Sequence, residues 1–268
     1  MITFSRLGLH GRLGNALFQY ALVKAVSEKT GHRLCLPDLS KQVDPIAGQV
    51  CKLTHFNIDY ELLEESPKYL FREQGSGQYD PRVFQVPEGT DFFGHFQNKQ
   101  FFDDIKPILK KELTLDDSIQ QQAKGILSQF IRPTSIHVRL GDYLDMDQGV
   151  AGWQDKLESY INRARILIGD TGDILVFTGG KRHSEESSEY FDWCRDKIKG
   201  SNVFFMEGNS EVLDFELIRR CTNNICGWDS TFSWWASYLN ENEGKIICTN
   251  KDQIFPWIYS NMREWITL

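Results

Sequence analysis

The chain has 268 residues, 41% of them hydrophobic and 25% charged, with a net charge of −7. This length and composition suit one large globular domain or two moderate ones. The acidic balance argues against broad binding of nucleic acid or anionic membrane, while leaving room for a small basic pocket.

In chain order, Met1 to Leu9 reads as a first strand that runs into GLHGRLGN, with glycines at 8, 11 and 14. A helix follows from Asn15 to Lys29, with Leu17, Phe18, Ala21, Leu22, Ala25 and Val26 on one stripe. Strand, glycine-rich turn and helix suit an anion, because free backbone N–H groups and the helix dipole both face it. The same layout also suits a tight turn with close strand–helix packing. The spacing G-x-x-G-x-x-G is neither the dinucleotide fingerprint nor a P-loop. Arg33 to Leu36 reads as a second strand, and Ser40 to Thr90 shows no clear period. Phe92 to Phe96 reads as an aromatic strand with His95 and Gln97 as its polar members. These two suit a polyhydroxylated acceptor, or are satisfied as edge groups. An amphipathic helix with Ile105, Ile108, Leu109 and Leu113 follows, with Pro107 in its first turn. Another helix covers Ser118 to Phe130, and Arg132–Pro133 marks a boundary between residues 1–132 and 133–268.

The most informative stretch is TSIHVRLGDY, Thr134 to Tyr143. Ile136 and Val138 alternate with His137 and Arg139, so the imidazole and guanidinium project from one strand face. Gly141 and Asp142 then turn the chain. A cation, an imidazole and a carboxylate thus meet at the C-terminal end of a strand, where open parallel sheets bind ligands. Beyond it the pattern alternates: helix Gln154 to Ile168, strand Asp173 to Thr178, helix Glu185 to Lys199, strand Asn202 to Met206, helix Glu211 to Arg220, strand Asn224 to Gly227, helix Thr231 to Asn240 and strand Lys245 to Thr249. Alternation of this kind implies parallel βαβ units and an α/β fold. In GWDSTFSWWASYLN, Asp229, Ser230 and Thr231 supply helix N-cap chemistry that also suits a phosphate, while Trp234 and Trp235 read as core.

Cys35, Cys51, Cys194, Cys221, Cys226 and Cys248 contain no C-x-x-C pair and several lie in apolar runs. They read as reduced core thiols of a cytoplasmic protein. The N-terminus lacks the pattern of a signal peptide, and no stretch reaches membrane-spanning length.

The blocks GRLGNALFQYA, GHFQNKQFF, SIHVRLGDYL and DFELIRRCTNNICGWDSTFSWWASYLN together resemble the alpha-1,2-fucosyltransferases of glycosyltransferase family eleven. More loosely, they resemble the GDP-fucose transferases that carry an H-x-R-R-x-D motif. The resemblance implies two Rossmann-like domains in the B-type glycosyltransferase fold, with the donor in the crevice between them. Residues 1–132 would form the acceptor side with the glycine-rich turn, and 133–268 the donor domain. It further implies GDP-fucose as donor, a glycan acceptor, inversion at the anomeric carbon, and no metal or other cofactor. Arg139 would stabilise the departing diphosphate and His137 would sit on the nucleotide. Gly11, Gly14 and Asn15 would face the phosphates from one side, and Ser230, Thr231 and Phe232 from the other. Asp214 would accept hydrogen bonds from the guanine edge. Asp142 and Asp147 are the carboxylates at hand for the base that the acceptor hydroxyl needs.

Three positions depart from the family's usual pattern: Leu140 replaces a second Arg, Ala16 replaces Gln, and Gly179–Gly180 replaces an acidic pair. Two other readings therefore stand beside the first. One is a glycosyltransferase with another nucleotide sugar, or an inactive sugar-nucleotide binder. The other is an NAD(P)-dependent oxidoreductase, for which Asp38 would have to hold a ribose. Asp145-Met146-Asp147 matches the D-x-D pattern of metal-using transferases, at a length that chance readily supplies.

Overall fold

The computed structural model describes residues 1–45, 48–140, 152–169, 172–179, 188–252, 256–258 and 262–268. Asp142, Asp145, Asp147, Gly180 and the start of the helix expected at Glu185 lie outside the described residues. The chain divides into two compact units, Met1–Asp116 with Trp257–Asn261, and Asp117–Pro256 with Met262–Leu268.

The first unit contains β1 (Ile2–Thr3), α1 (Leu13–Thr30), β2 (Cys35–Leu36), β3 (Glu61–Leu62), β4 (Tyr69–Arg72), β5 (Thr90–Phe93) and α2 (Lys106–Glu112). Its strands pair in parallel in the order β1-β5-β4, beside a parallel pair β2-β3. A parallel bridge from Ile2 to Leu34 adjoins the two groups. β1 stops at Thr3 rather than Leu9, because the Ser5 N–H and hydroxyl both donate to the Asp91 carboxylate and Leu7 N–H turns back to Phe4 O. α1 is the centre of the unit. Leu17, Phe18, Ala21, Leu22, Ala25 and Val26 are fully buried, and so are Gln19, Tyr20 and Val23 on other faces. The helix is thus enclosed rather than amphipathic. The Tyr20 hydroxyl donates to Glu112 Oε2 at 2.5 Å, and Lys24 Nζ lies 2.8 Å from Glu112 Oε1, which ties α1 to α2. Burial and the adjacent carboxylate hold the Tyr20 phenol well above its ordinary pKa. The helix ends at Gly31, whose φ of 73° gives the left-handed cap that glycine adopts without penalty.

β3 and β4 fall in the stretch without a clear period. Tyr69, Leu70 and Arg72 of the edge strand β4 are exposed, so no buried face imposes alternation. β5 ends at Phe93, and residues 94–98 form a turn rather than a continuation of the strand to Phe96.

The second unit contains α3 (Asp117–Leu127), β6 (Thr134–Val138), α4 (Trp153–Ile168), β7 (Ile174–Thr178), α5 (Ser188–Lys197), β8 (Val203–Phe205), α6 (Glu211–Arg220), β9 (Asn223–Ile225), α7 (Thr231–Tyr238), β10 (Ile247–Thr249) and β11 (Ile266–Thr267). The six strands form one parallel sheet in the order β11-β10-β9-β6-β7-β8. α3 belongs to this unit, so the division falls at Asp117, ahead of Arg132–Pro133. The reason is its packing on α6, where Arg220 Nη2 donates to Gln120 Oε1 at 2.9 Å. The apolar core joins Ile136, Val138 and Leu140 to Leu157, Tyr160, Val176, Ile225 and Cys248. Ser135, Asn224 and Asn240 are buried too. Asn224 Nδ2 donates to Ser135 Oγ at 2.8 Å, and Asn240 Nδ2 donates to Asn224 Oδ1 at 2.7 Å. Buried amides are tolerated because they are paired in this way. β11 gave no signal in the sequence, since its two residues are both exposed.

Candidate active site

The strand order of the second unit reverses between β6 and β9. The connections leaving these neighbours run to opposite sides, which opens a crevice at their carboxyl ends. His137, Arg139 and the Gly227–Phe232 segment all sit at that point. Gly227 lies directly against His137. An added Cβ there would collide with the imidazole and come within 2.9 Å of the His137 carbonyl oxygen, so only glycine allows the approach. Asp229 follows with a φ of 47°, a left-handed conformation that Asp adopts more readily than most residues. This turn lets Ser230 cap α7, its hydroxyl accepting from Ser233 N–H at 3.3 Å.

Arg139 is fixed to the same turn, its Nη1 donating to the Asp229 carbonyl oxygen. A guanidinium is thereby held beside the N-terminus of a helix, and both favour an anion. Ser230 is buried, while Arg139, Thr231 and Phe232 keep partial exposure. The Phe232 ring packs against His137 at 5.4 Å and edge-on against Phe215 at 5.5 Å. Phe215 follows Asp214 in the first turns of α6. Burial pushes the Asp214 carboxyl up to about 7, against the lowering effect of a hydrogen bond from Asn209 Nδ2 at 2.9 Å and with a further rise from Glu211. The second unit thus gathers His137, Arg139, Asp214, Ser230, Thr231 and Phe232. Thr178, paired in register with Val138 at the same sheet edge, has a buried hydroxyl with no hydrogen-bond partner among the described residues. Leu140 is wholly buried in the apolar core, so the position where the family usually has a second Arg contributes packing here.

The first unit gathers a second set around the N-terminus of α1. Gly11 takes a φ of 95° and packs against the Asn15 side chain, whose Cγ would lie 2.8 Å from an added Cβ. Gly14 and Asn15 lie in the first turn of α1, where backbone N–H groups lack intrahelical acceptors; Asn15 N–H turns back to Arg12 O at 3.0 Å. Gln97 Nε2 donates to Asn15 Oδ1 at 2.9 Å. His95 is exposed beside it. Glu73, which no sequence signal singled out, accepts from three backbone N–H groups: His95 at 2.7 Å, Phe96 at 3.1 Å and Gly77 at 3.1 Å. The Phe93 ring, at the carboxyl edge of the parallel strands, carries the guanidinium carbons of Arg6 and Arg72 at 5.5 and 4.8 Å.

Residues 4–267 match the family "Glycosyl transferase family 11". The chain belongs to that family and is a glycosyltransferase. It is 23% identical to the O-antigen biosynthesis glycosyltransferase WbnK of Escherichia coli, over 97% of each chain. It is 26% identical to galactoside alpha-(1,2)-fucosyltransferase 2 of Mus musculus, over 85% of this chain and 66% of the mouse protein. The fold is similar to that of POFUT1 in its complex with GDP, with a TM-score of 0.57 at 13% identity over 92% of this chain and 97% of the other. It is also similar to POFUT1 in complex with GDP-fucose, with a TM-score of 0.53 at 14% identity over 92% and 96%. No helix among the described residues is long and apolar enough to cross a membrane. Asp38, which the oxidoreductase reading requires on a ribose, instead caps a short helical turn at Ser40 and pairs with Lys41 at 2.9 Å.

Proposed function

We propose that this chain transfers fucose from GDP-fucose to a hydroxyl of a glycan acceptor, forming an alpha-1,2 linkage with inversion and without a metal ion. The observation that carries the proposal is the Arg139 guanidinium, held on the Asp229 carbonyl at the start of α7. The names of the mammalian relatives support the sugar and the linkage. In the reaction the acceptor oxygen attacks the anomeric carbon while the bond to the β-phosphate oxygen breaks. Positive charge develops on the sugar and negative charge on the departing diphosphate. Arg139 and the first N–H groups of α7 supply stabilisation where that negative charge grows. His137 and Phe232, their rings tilted 39° to each other, line the nucleotide side, and the Asp214 carboxylate accepts from guanine N–H groups. Gly11, Gly14 and Asn15 contact the phosphates from the first unit. Asp142 or Asp147, both outside the described residues, takes the acceptor proton. His95 serves the acceptor side.

The proposal includes the B-type arrangement of two Rossmann-like domains, in which the second unit, with α3 added to residues 133–268, would be the donor domain and the first unit the acceptor domain. Its support is a parallel sheet in each unit and the reversing strand order of the second. A cytoplasmic location fits the six cysteines, which are all buried and free. The burial of Leu140 favours one second reading, a related transferase that takes another nucleotide sugar. The test is a transfer assay with GDP-fucose, GDP-mannose and UDP-galactose against a galactoside, with and without EDTA. Turnover with GDP-fucose alone, unchanged by EDTA, is expected. Turnover with another donor only, or loss of activity in EDTA, would refute the proposal.

A further inference from the structure

We propose that Gln97 is a positioning residue for the donor diphosphate, acting through Asn15, and does not contact the acceptor. The inference rests on the donor-binding role proposed for Asn15. A side-chain amide has one accepting end and one donating end, and the two are nearly equal in shape. Turned one way, the Asn15 amide offers N–H groups to an anion; turned the other way, it offers a repelling oxygen. Gln97 Nε2 donates to Asn15 Oδ1 at 2.9 Å, which places Nδ2, the donating end, on the side of the Gly11 turn. A Cβ at Gly11 would collide with Asn15 Nδ2, so only glycine there leaves that end of the amide in place within the turn.

The turn that carries Gln97 is itself held firmly. Glu73 gathers the N–H groups of His95, Phe96 and Gly77 on one carboxylate. Phe96 takes a φ of 51°, which reverses the chain so that Gln97 faces α1. Asn98 Nδ2 donates to Gly77 O at 2.9 Å and closes the loop behind it. Gln19, one helical turn beyond Asn15 on the same face of α1, donates from Nε2 to Gly94 O at 3.2 Å. The turn is therefore tied to α1 at both ends, and its register against Asn15 is set by contacts that involve no ligand.

Calorimetric dissociation constants for GDP and guanosine test this in the wild type, Gln97→Ala, Gln97→Glu, Asn15→Ala and the double variant Asn15→Ala/Gln97→Ala. Gln97→Ala is expected to weaken GDP about tenfold, the scale of one charge-assisted hydrogen bond, and to leave guanosine unchanged. Gln97→Glu is expected to weaken GDP further, because a carboxylate accepts from Asn15 Nδ2 and turns the amide oxygen toward the phosphate. The double variant is expected to bind GDP no worse than Asn15→Ala, and the acceptor KM of Gln97→Ala at saturating donor to stay at the wild-type value. Additive losses in the double variant, or a raised acceptor KM with GDP affinity intact, would overturn the proposal. Wild-type protein that binds guanosine as tightly as GDP would instead remove the diphosphate site on which the proposal rests. Gln97→Glu preserves the shape of the side chain, so the comparison survives if the alanine variant folds poorly.

Discussion

In the proposed reaction, Arg139 joins the sheet to the departing diphosphate. Its position one residue past β6 puts the guanidinium at the sheet edge, and the Asp229 carbonyl fixes its direction. Arg139→Ala is expected to lower kcat by about 10²–10³-fold, the cost of removing a preorganised charge from a developing oxyanion, with an unchanged far-ultraviolet circular dichroism spectrum. Arg139→Lys keeps the charge but not the planar fork and is expected to recover only part of that loss. Asp214 gives a second test. In the proposed guanine contact, a carboxyl raised to about 7 by burial accepts N–H groups only when ionised, so affinity is expected to rise with pH. Guanosine, which lacks phosphates that titrate in this range, is expected to bind about tenfold more tightly at pH 8 than at pH 6, and Asp214→Asn to abolish the slope. These residues differ in how readily the sequence discloses them. The period-two pattern of TSIHVRL placed His137 and Arg139 on one face, and Ser230 stood out by its cap chemistry. Asp214 came only through the family resemblance. Glu73 could not be read at all, because the backbone groups it gathers at His95 and Phe96 lie 22 and 23 residues away.

At the scale of elements, the helices were more legible than the strands. α6 is found at Glu211–Arg220, as its pattern indicated, because a capping serine at 210 and a buried stripe both mark it. The strands of the first unit are two to four residues long, and the edge strand β4 buries no face, so nothing in their composition marks them. α1 shows the opposite case, a helix whose stripe understated its burial. α6 also carries an ionic cluster of its own, beside the hydrogen bond from Arg220 to Gln120 of α3. Glu216 is 1% exposed and takes Arg220 Nε at 2.5 Å, while Arg219 Nη1 lies 3.8 Å away. Glu216→Ala leaves two guanidiniums without that carboxylate and is expected to destabilise the fold by about 2–4 kcal/mol, less than a fully buried pair because Arg220 is partly solvated. Chemical denaturation measures it, and a loss below about 0.5 kcal/mol would mean that the cluster is solvated rather than structural.

At the scale of the whole molecule, the alternating pattern after residue 133 led directly to a parallel sheet. The strand order was not readable, because order depends on which way each connection crosses. That order nonetheless sets the candidate ligand edge of the second unit, by placing β6 beside β9 and thus Arg139 beside the α7 cap. The glycine-rich start of α1 offers the same chemistry in the first unit. Under the proposed function, the central claim is that the turns at Asn15 and at Arg139 both act on the donor diphosphate. The most direct measurement is the dissociation constant of GDP relative to guanosine in wild type, Arg139→Ala and Asn15→Ala. The claim predicts a strong preference for GDP in the wild type that each substitution reduces, while guanosine binds all three equally. A variant that keeps the full preference for GDP would show that its turn lies away from the phosphates and would contradict the claim.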